Sequence, residues 1–250
     1  MEQCGYFGKR PLERDFVYEG LTAGMADAWA GIMSDWLISV QNALPQTWQQ
    51  EYFDAPAWRF AISPGLLGAS AWCGLLCASA DTFGRAFPLS LLMPTRGPLF
   101  QLVFDRSVEH TLDTLEVHVM TFIEGQTDRR QFLDRIKSGS EPLVSPSGPS
   151  QSRKSIELRK NDHALRMEFA RNDGGTMIAE NAYSLPAIQI SQADVPLSYW
   201  WQDGTTTRPP ELCVWKGLPR GSATGGFFGG HWEQFGWQRG QVDPGSILRS

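Results

Sequence analysis

Residues 60–80 contain no charged side chain, and a second apolar run follows at residues 87–93. Runs that stay apolar throughout, instead of alternating with polar residues, fit strands covered on both faces. The first run is long enough to cross a bilayer. Pro64-Gly65, Gly68 and Gly74 interrupt it, however, together with Ser63, Ser70 and Ser79, which reads as two buried strands around a turn. The pattern predicts strands at 58–62, 70–79, 87–93 and 99–104. Burial on both faces requires helices above and below, so the expected fold is α/β: a single domain, a three-layer α/β/α sandwich with a mixed sheet.

The helices come from a different periodicity. Trp29, Ile32, Met33, Trp36, Leu37 and Val40 recur at intervals of three and four behind Thr22, a residue able to cap a helix start. That helix should end near Pro45, with a short helical turn at 48–53. Residues 112–123 fit both periods and are read as helix; Thr127 is expected to cap another helix carrying Phe132, Leu133 and Ile136. From 138 to 152, Ser, Pro and Gly fill 11 of 15 positions, the composition of a solvated internal loop. The strand-like pieces at 165–169, 177–190, 198–201 and 211–215 hold too little core to fold alone, so they should complete the first sheet within one domain spanning 1–250. A glycine-rich stretch at 217–230 leads into Phe228, Trp232 and Phe235 at helical spacing, the mark of a short terminal helix.

With a net charge of −5 the chain has no positive field to collect phosphates, so nucleic acid is not an expected partner. The N-terminus lacks a basic stretch followed by an apolar run, so neither a secretory leader nor membrane insertion is expected, and a cytoplasmic location follows. In that setting Cys4, Cys73, Cys77 and Cys213 are expected to be reduced core thiols.

Signatures of catalysis and cofactor binding are missing. Gly8-Lys9 invites a phosphate-loop reading, but Gln3 stands at the first glycine position and Arg10 follows the lysine where Ser or Thr should bind magnesium. There is no GxGxxG, no HExxH and no GxSxG, and His110, His118, His163 and His231 are scattered. No cofactor, metal or catalytic residue is therefore assigned. What remains is a mixed-charge segment, Lys9, Arg10, Glu13, Arg14 and Asp15 beside Tyr6, Phe7 and Phe16, and Asp81 placed four residues before Arg85. Asp81 and Arg85 fit an ion pair pinning the turn before Phe87, or a partner contact. An alternative from another class is a small hydrolase or nucleotide-binding enzyme with a site around Asp15, Asp81 and Arg85.

Two segments carry a resemblance. Gly5-Tyr6-Phe7-Gly8-Lys9-Arg10-Pro11-Leu12-Glu13-Arg14-Asp15-Phe16-Val17 resembles the GKxPxxGDFV opening of the TagF (ImpM) family of type VI secretion-associated proteins. Asp81-Thr82-Phe83-Gly84-Arg85-Ala86-Phe87-Pro88-Leu89 resembles that family's SxDxxGRxFPL segment. Trp36-Leu37, Trp48, Ala55-Pro56, Trp58-Arg59-Phe60 and Trp72 fall in order between them, and Ser198-Tyr199-Trp200-Trp201 and Lys216-Gly217-Leu218-Pro219 continue the similarity. Arg14 stands where the family usually has Gly, and Arg10 where an aliphatic is usual. The resemblance implies a non-enzymatic, cytoplasmic α/β/α protein that represses type VI secretion after translation by binding a forkhead-associated scaffold protein. Lys9, Arg14, Asp15, Asp81 and Arg85 are the candidate contact residues.

Overall fold

The computed structural model describes residues 3–96, 99–103, 105–139, 154–156, 164–168, 188–190 and 196–235. Their centre is an open eight-stranded sheet. Its strands are β1 (Gly5–Gly8), β2 (Val17–Glu19), β3 (Trp58–Ile62), β4 (Ala71–Cys77), β5 (Leu89–Thr95), β7 (Ala164–Glu168), β9 (Leu197–Gln202) and β10 (Glu211–Lys216), in the order β2-β1-β5-β4-β3-β9-β10-β7. β6 (Lys154–Ile156) and β8 (Ile188–Ile190) form a separate parallel pair. Every neighbouring pair in the large sheet is antiparallel, which corrects the expected mixed sheet. A continuous apolar run reports cover on both faces and is silent about strand direction.

Alternate residues of the strands sort into two hydrophobic clusters. Tyr6, Ala61, Cys73, Leu75, Leu91, Tyr199, Trp201 and Leu212 pack with residues of α3 (Leu99–Val103), α4 (Arg106–Ile123) and α5 (Arg129–Gly139). Phe7, Phe60, Trp72, Leu92, Trp200 and Cys213 pack with α1 (Ala23–Ala43), α2 (Trp48–Phe53) and the C-terminal helical segment. That segment is α6 (Gly225–Gly229) between two 3-10 turns, Gly221–Thr224 and Trp232–Phe235, not one continuous helix, because Gly230 at φ 70° turns the chain. Gly225 and Gly226 are required there, since a Cβ on either would strike the rings of Phe235 and Trp232.

Thr22 caps α1 as expected, its hydroxyl accepting from the Met25 N–H at 3.3 Å. α4 confirms the helical reading of 112–123. Residues 99–103 are helix and not the expected fourth strand; an apolar stretch this short has no period to separate the two. At α5 the cap is Asp128, whose carboxylate accepts from the Gln131 N–H at 2.8 Å, one residue past the expected Thr127. Residues 140–152 of the expected loop, and most of 177–190, lie outside the described residues. The four cysteines are buried and free.

The C-terminal third completes the N-terminal sheet through β9, which pairs along β3 from Arg59↔Trp201 to Ile62↔Ser198. Trp200 meets Trp36 at 4.8 Å and Phe60 at 5.2 Å on one face, while Trp201 enters the opposite cluster. The two indoles are 0% and 2% exposed. Trp200→Ala and Trp201→Ala are each expected to cost about 3–5 kcal/mol in chemical denaturation; a loss below about 1 kcal/mol for either would show that its face is loosely packed.

Candidate functional site

All five candidate residues gather at one corner of the sheet, beside the edge strand β2. The organising group is the Asp81 carboxylate, buried at 3% exposure. One oxygen accepts from Lys9 Nζ at 3.0 Å and Arg85 Nε at 2.6 Å. The other accepts from the backbone N–H groups of Phe83 and Arg85 at 2.9 and 3.0 Å. Burial pushes this carboxyl up, but the bonds from Lys9, from the Arg85 and Phe83 backbone and from the Arg85 side chain outweigh it and hold it well below the usual carboxylate range.

The local sequence builds this knot in steps. Gly84, at φ 74°, lets the chain turn back, so that Gly84 N–H donates to the Asp81 carbonyl and Phe87 N–H to that of Ser79. Ser79 in turn donates its hydroxyl to the Lys9 carbonyl at 2.7 Å and exchanges bonds with the Tyr52 hydroxyl. At Gly8 a Cβ would collide with the Pro88 carbonyl, so glycine permits β1 to lie against the segment that follows the turn. The loop after β1 is held from the same hairpin: Thr82 N–H donates to the Glu13 carbonyl at 3.0 Å, and Arg85 donates to the Arg14 carbonyl at 2.8 Å. Glu13 also pairs with Arg129 of α5 at 3.1 Å.

Around this pinned base the surface is aromatic and open. Phe16, Tyr18 and Phe83 are 40%, 48% and 65% exposed, while Leu12, also exposed, lies with Arg10 beside Gly125 at the end of α4. Phe16 is nevertheless fixed, stacked on Phe7 at 5.2 Å and set edge-on to Phe87 at 4.7 Å. The Arg14 and Arg85 guanidinium groups lie 5.9 and 5.4 Å from the Phe83 ring centre. Asp15 is exposed and accepts from the Phe16 N–H at 2.8 Å. Arg10 leaves the group: it is buried against the Phe122 ring at 4.1 Å on the α4 side.

Sequence reasoning missed two buried charge clusters elsewhere. Arg59 on β3 pairs with Asp203, with Asp113 at 2.6 Å and with Glu116 at 3.3 Å. Burial pushes the Glu116 and Asp203 carboxyls up despite the guanidinium. Glu211 on β10 receives Arg166, Arg208 and the Trp232 indole N–H, while Arg208 also donates to the Gly226 and Phe228 carbonyls at the end of α6. These ties pin helices to the sheet, and no local spacing announces them. Among the described residues no cluster of His, Cys, Asp or Glu could hold a metal ion, and burial pushes the Cys73 thiol up to about 12. No described helix is long and apolar enough to cross a membrane.

Residues 5–138 match the model of the TagF N-terminal domain, type VI secretion system-associated. The crystal structure of PA0076 from Pseudomonas aeruginosa PAO1 at 2.05 Å resolution is similar with a TM-score of 0.61 and 26% sequence identity, over 91% of this chain and 94% of that one. Among curated proteins none matches.

The Asp81 knot has a defined pH signature. The folded carboxyl binds its proton less readily than the unfolded one, so on acidification the unfolded state takes up the proton first. The stabilisation is therefore complete above about pH 4 and is lost as the pH falls from there toward the lowered folded value. Asp81→Asn, which keeps an oxygen for the Phe83 and Arg85 N–H groups but strands the buried Lys9 charge, should melt well below the wild type at pH 7. That gap should narrow below about pH 4; a gap independent of pH would remove the charge from the account.

Proposed function

The chain belongs to the type VI secretion system-associated TagF family, and on that premise we propose that it is a non-enzymatic negative regulator of type VI secretion assembly. It acts after translation, in the cytoplasm, by occupying a surface of a forkhead-associated scaffold protein. The observation that carries this reading is the corner at Asp81: exposed aromatic and cationic side chains on loops held rigidly from beneath, the arrangement that suits docking. We read the chain as one three-layer α/β/α domain, because the sheet begun within the matched residues 5–138 continues through β9 and β10 beyond them.

The hydrolase reading gains nothing from the same geometry. Both Asp81 oxygens are already engaged by four donors, so the buried carboxylate at the centre of that reading does not stand ready to take a proton from a bound substrate.

Deleting the protein is expected to raise type VI secretion without changing the amounts of the machine's components; unchanged secretion, where the system is normally silent, would contradict the repressor reading. Silenced secretion would point instead to a core subunit. Arg85→Ala probes the surface. Its side chain is 60% exposed and Lys9 still pairs Asp81, so stability should fall by no more than about 1 kcal/mol. Affinity for the scaffold should fall by about 2–5 kcal/mol, measured by titration calorimetry. A folded Arg85→Ala protein that binds and represses normally would remove Arg85 from the contact.

A further inference from the structure

We propose that the platform of Phe16, Tyr18 and Phe83 receives an acidic segment of the partner protein, apolar side chains lying on the rings and a carboxylate bridging Arg14 and Arg85. This rests on the reading of the chain as a partner-binding regulator and names the chemistry of the contact.

The first support is the sheet face itself. Phe7 on β1 and Tyr18 on β2 are cross-strand partners, and with Phe16 and Phe87 they form a continuous aromatic row. Phe7 and Phe87 are buried while Phe16 and Tyr18 keep open ring surface. Because Phe16 is already stacked from below, covering it demands little further ordering, which favours binding. β2 is also the terminal strand of the sheet, so an extended segment can run alongside it.

Charge selects the occupant. Lys9 already balances Asp81, so the positive charge of Arg85 is not cancelled by its ion pair with that carboxylate. Glu13 is balanced by Arg129, and Arg14 meets no carboxylate among the described residues. Against these stands Asp15, while Glu19 of β2 points to the other face of the strand, beside Tyr6, so the side of the corner with Arg14 and Arg85 is locally positive on a chain whose net charge is −5. Such a spot draws a negatively charged segment out of proportion to the rest of the surface. A second copy of this chain docking by the same face would set Arg14 and Arg85 against themselves, like charge on like. A single-stranded nucleic acid would stack on the rings but needs a basic groove along its backbone, and Asp15 with the overall acidity opposes that.

The test is a nitrogen-15 NMR titration of the full chain at millimolar probe. The probes are a short Glu- and Leu-containing peptide, its counterpart with Lys for Glu, and an oligothymidine. The Glu peptide is expected to shift the amides of residues 12–18 and 82–85 and the Arg14 and Arg85 side-chain N–H signals, with shifts that fade as salt rises. Phe83→Ala and Arg14→Ala, each otherwise wild-type in its spectrum, should bind about tenfold more weakly. Absence of shifts, shifts centred elsewhere, equal response to the Lys peptide, tighter binding of oligothymidine, or concentration-dependent shifts of the same amides without any probe would each overturn the assignment. Secretion separates the two levels of the account. If Phe83→Ala represses normally while deletion releases secretion, the platform falls and the regulator reading stands. If deletion changes nothing but the Glu peptide still binds as described, the acidic-segment site stands and the regulator reading falls.

Discussion

The corner that carries the proposed function depends on one buried carboxylate. Where the pairing of β1 with β5 brings them close, Asp81 ties together three stretches of chain: Lys9 just after β1, the turn through Gly84 to Arg85, and, through Arg85, the loop at Arg14, which Thr82 also holds at Glu13. Burying a charge is costly unless it is paired and hydrogen-bonded, and here every donor comes from a segment the site needs in place. The same group therefore sets the loop conformation and fixes which side chains face outward. Lys9 is 8% exposed, so its role is to complete the knot from within. Arg14 and Arg85 are the charges left for another molecule to feel.

Beneath that corner lies a sheet whose two faces are both covered, and it handles polarity by the same rule. Arg59 and Glu211 are buried in the strands; Arg59 gathers partners from α4 and the loop after β9, and Glu211 from the neighbouring strand β7, the loop before β10 and the C-terminal turn. Removing one partner of such a group leaves an uncompensated charge, so these clusters fix which helix lies where more than they add net stability. Trp36 and Trp58 act likewise, donating their indole N–H groups to the Pro219 and Phe227 carbonyls at 2.9 and 2.8 Å. The C-terminal segment is thereby stitched across α1 and β3.

Much of this was legible in the chain. The uncharged run announced β3 and β4, and the spacing from Trp29 to Val40 announced α1, because two-sided burial and a helical stripe leave plain composition patterns. Residues 99–103 were misread because five residues are too few to reveal a period. Strand direction was misread because burial does not encode it. At the site, Asp81 and Arg85 were readable as an i, i+4 pair, but Lys9 lies 72 residues away and was readable only as part of a mixed-charge loop, not as the partner of Asp81. Nothing marked Tyr18 and Phe83 as exposed, since an aromatic in a loop looks the same whether it is buried or presented. The carboxylates around Arg59 come from α4 and from the end of β9, and only the folded sheet brings them together.

The central claim is that the loops held by Asp81 are where a partner docks. Hydrogen–deuterium exchange of the protein alone and with the purified forkhead-associated scaffold tests this most directly. The account predicts new protection confined to residues 12–18 and 82–85, with exchange on the outer faces of α4 and α5 unchanged. Protection appearing on α4 or α5 while the Asp81 loops exchange as in the free protein would contradict it.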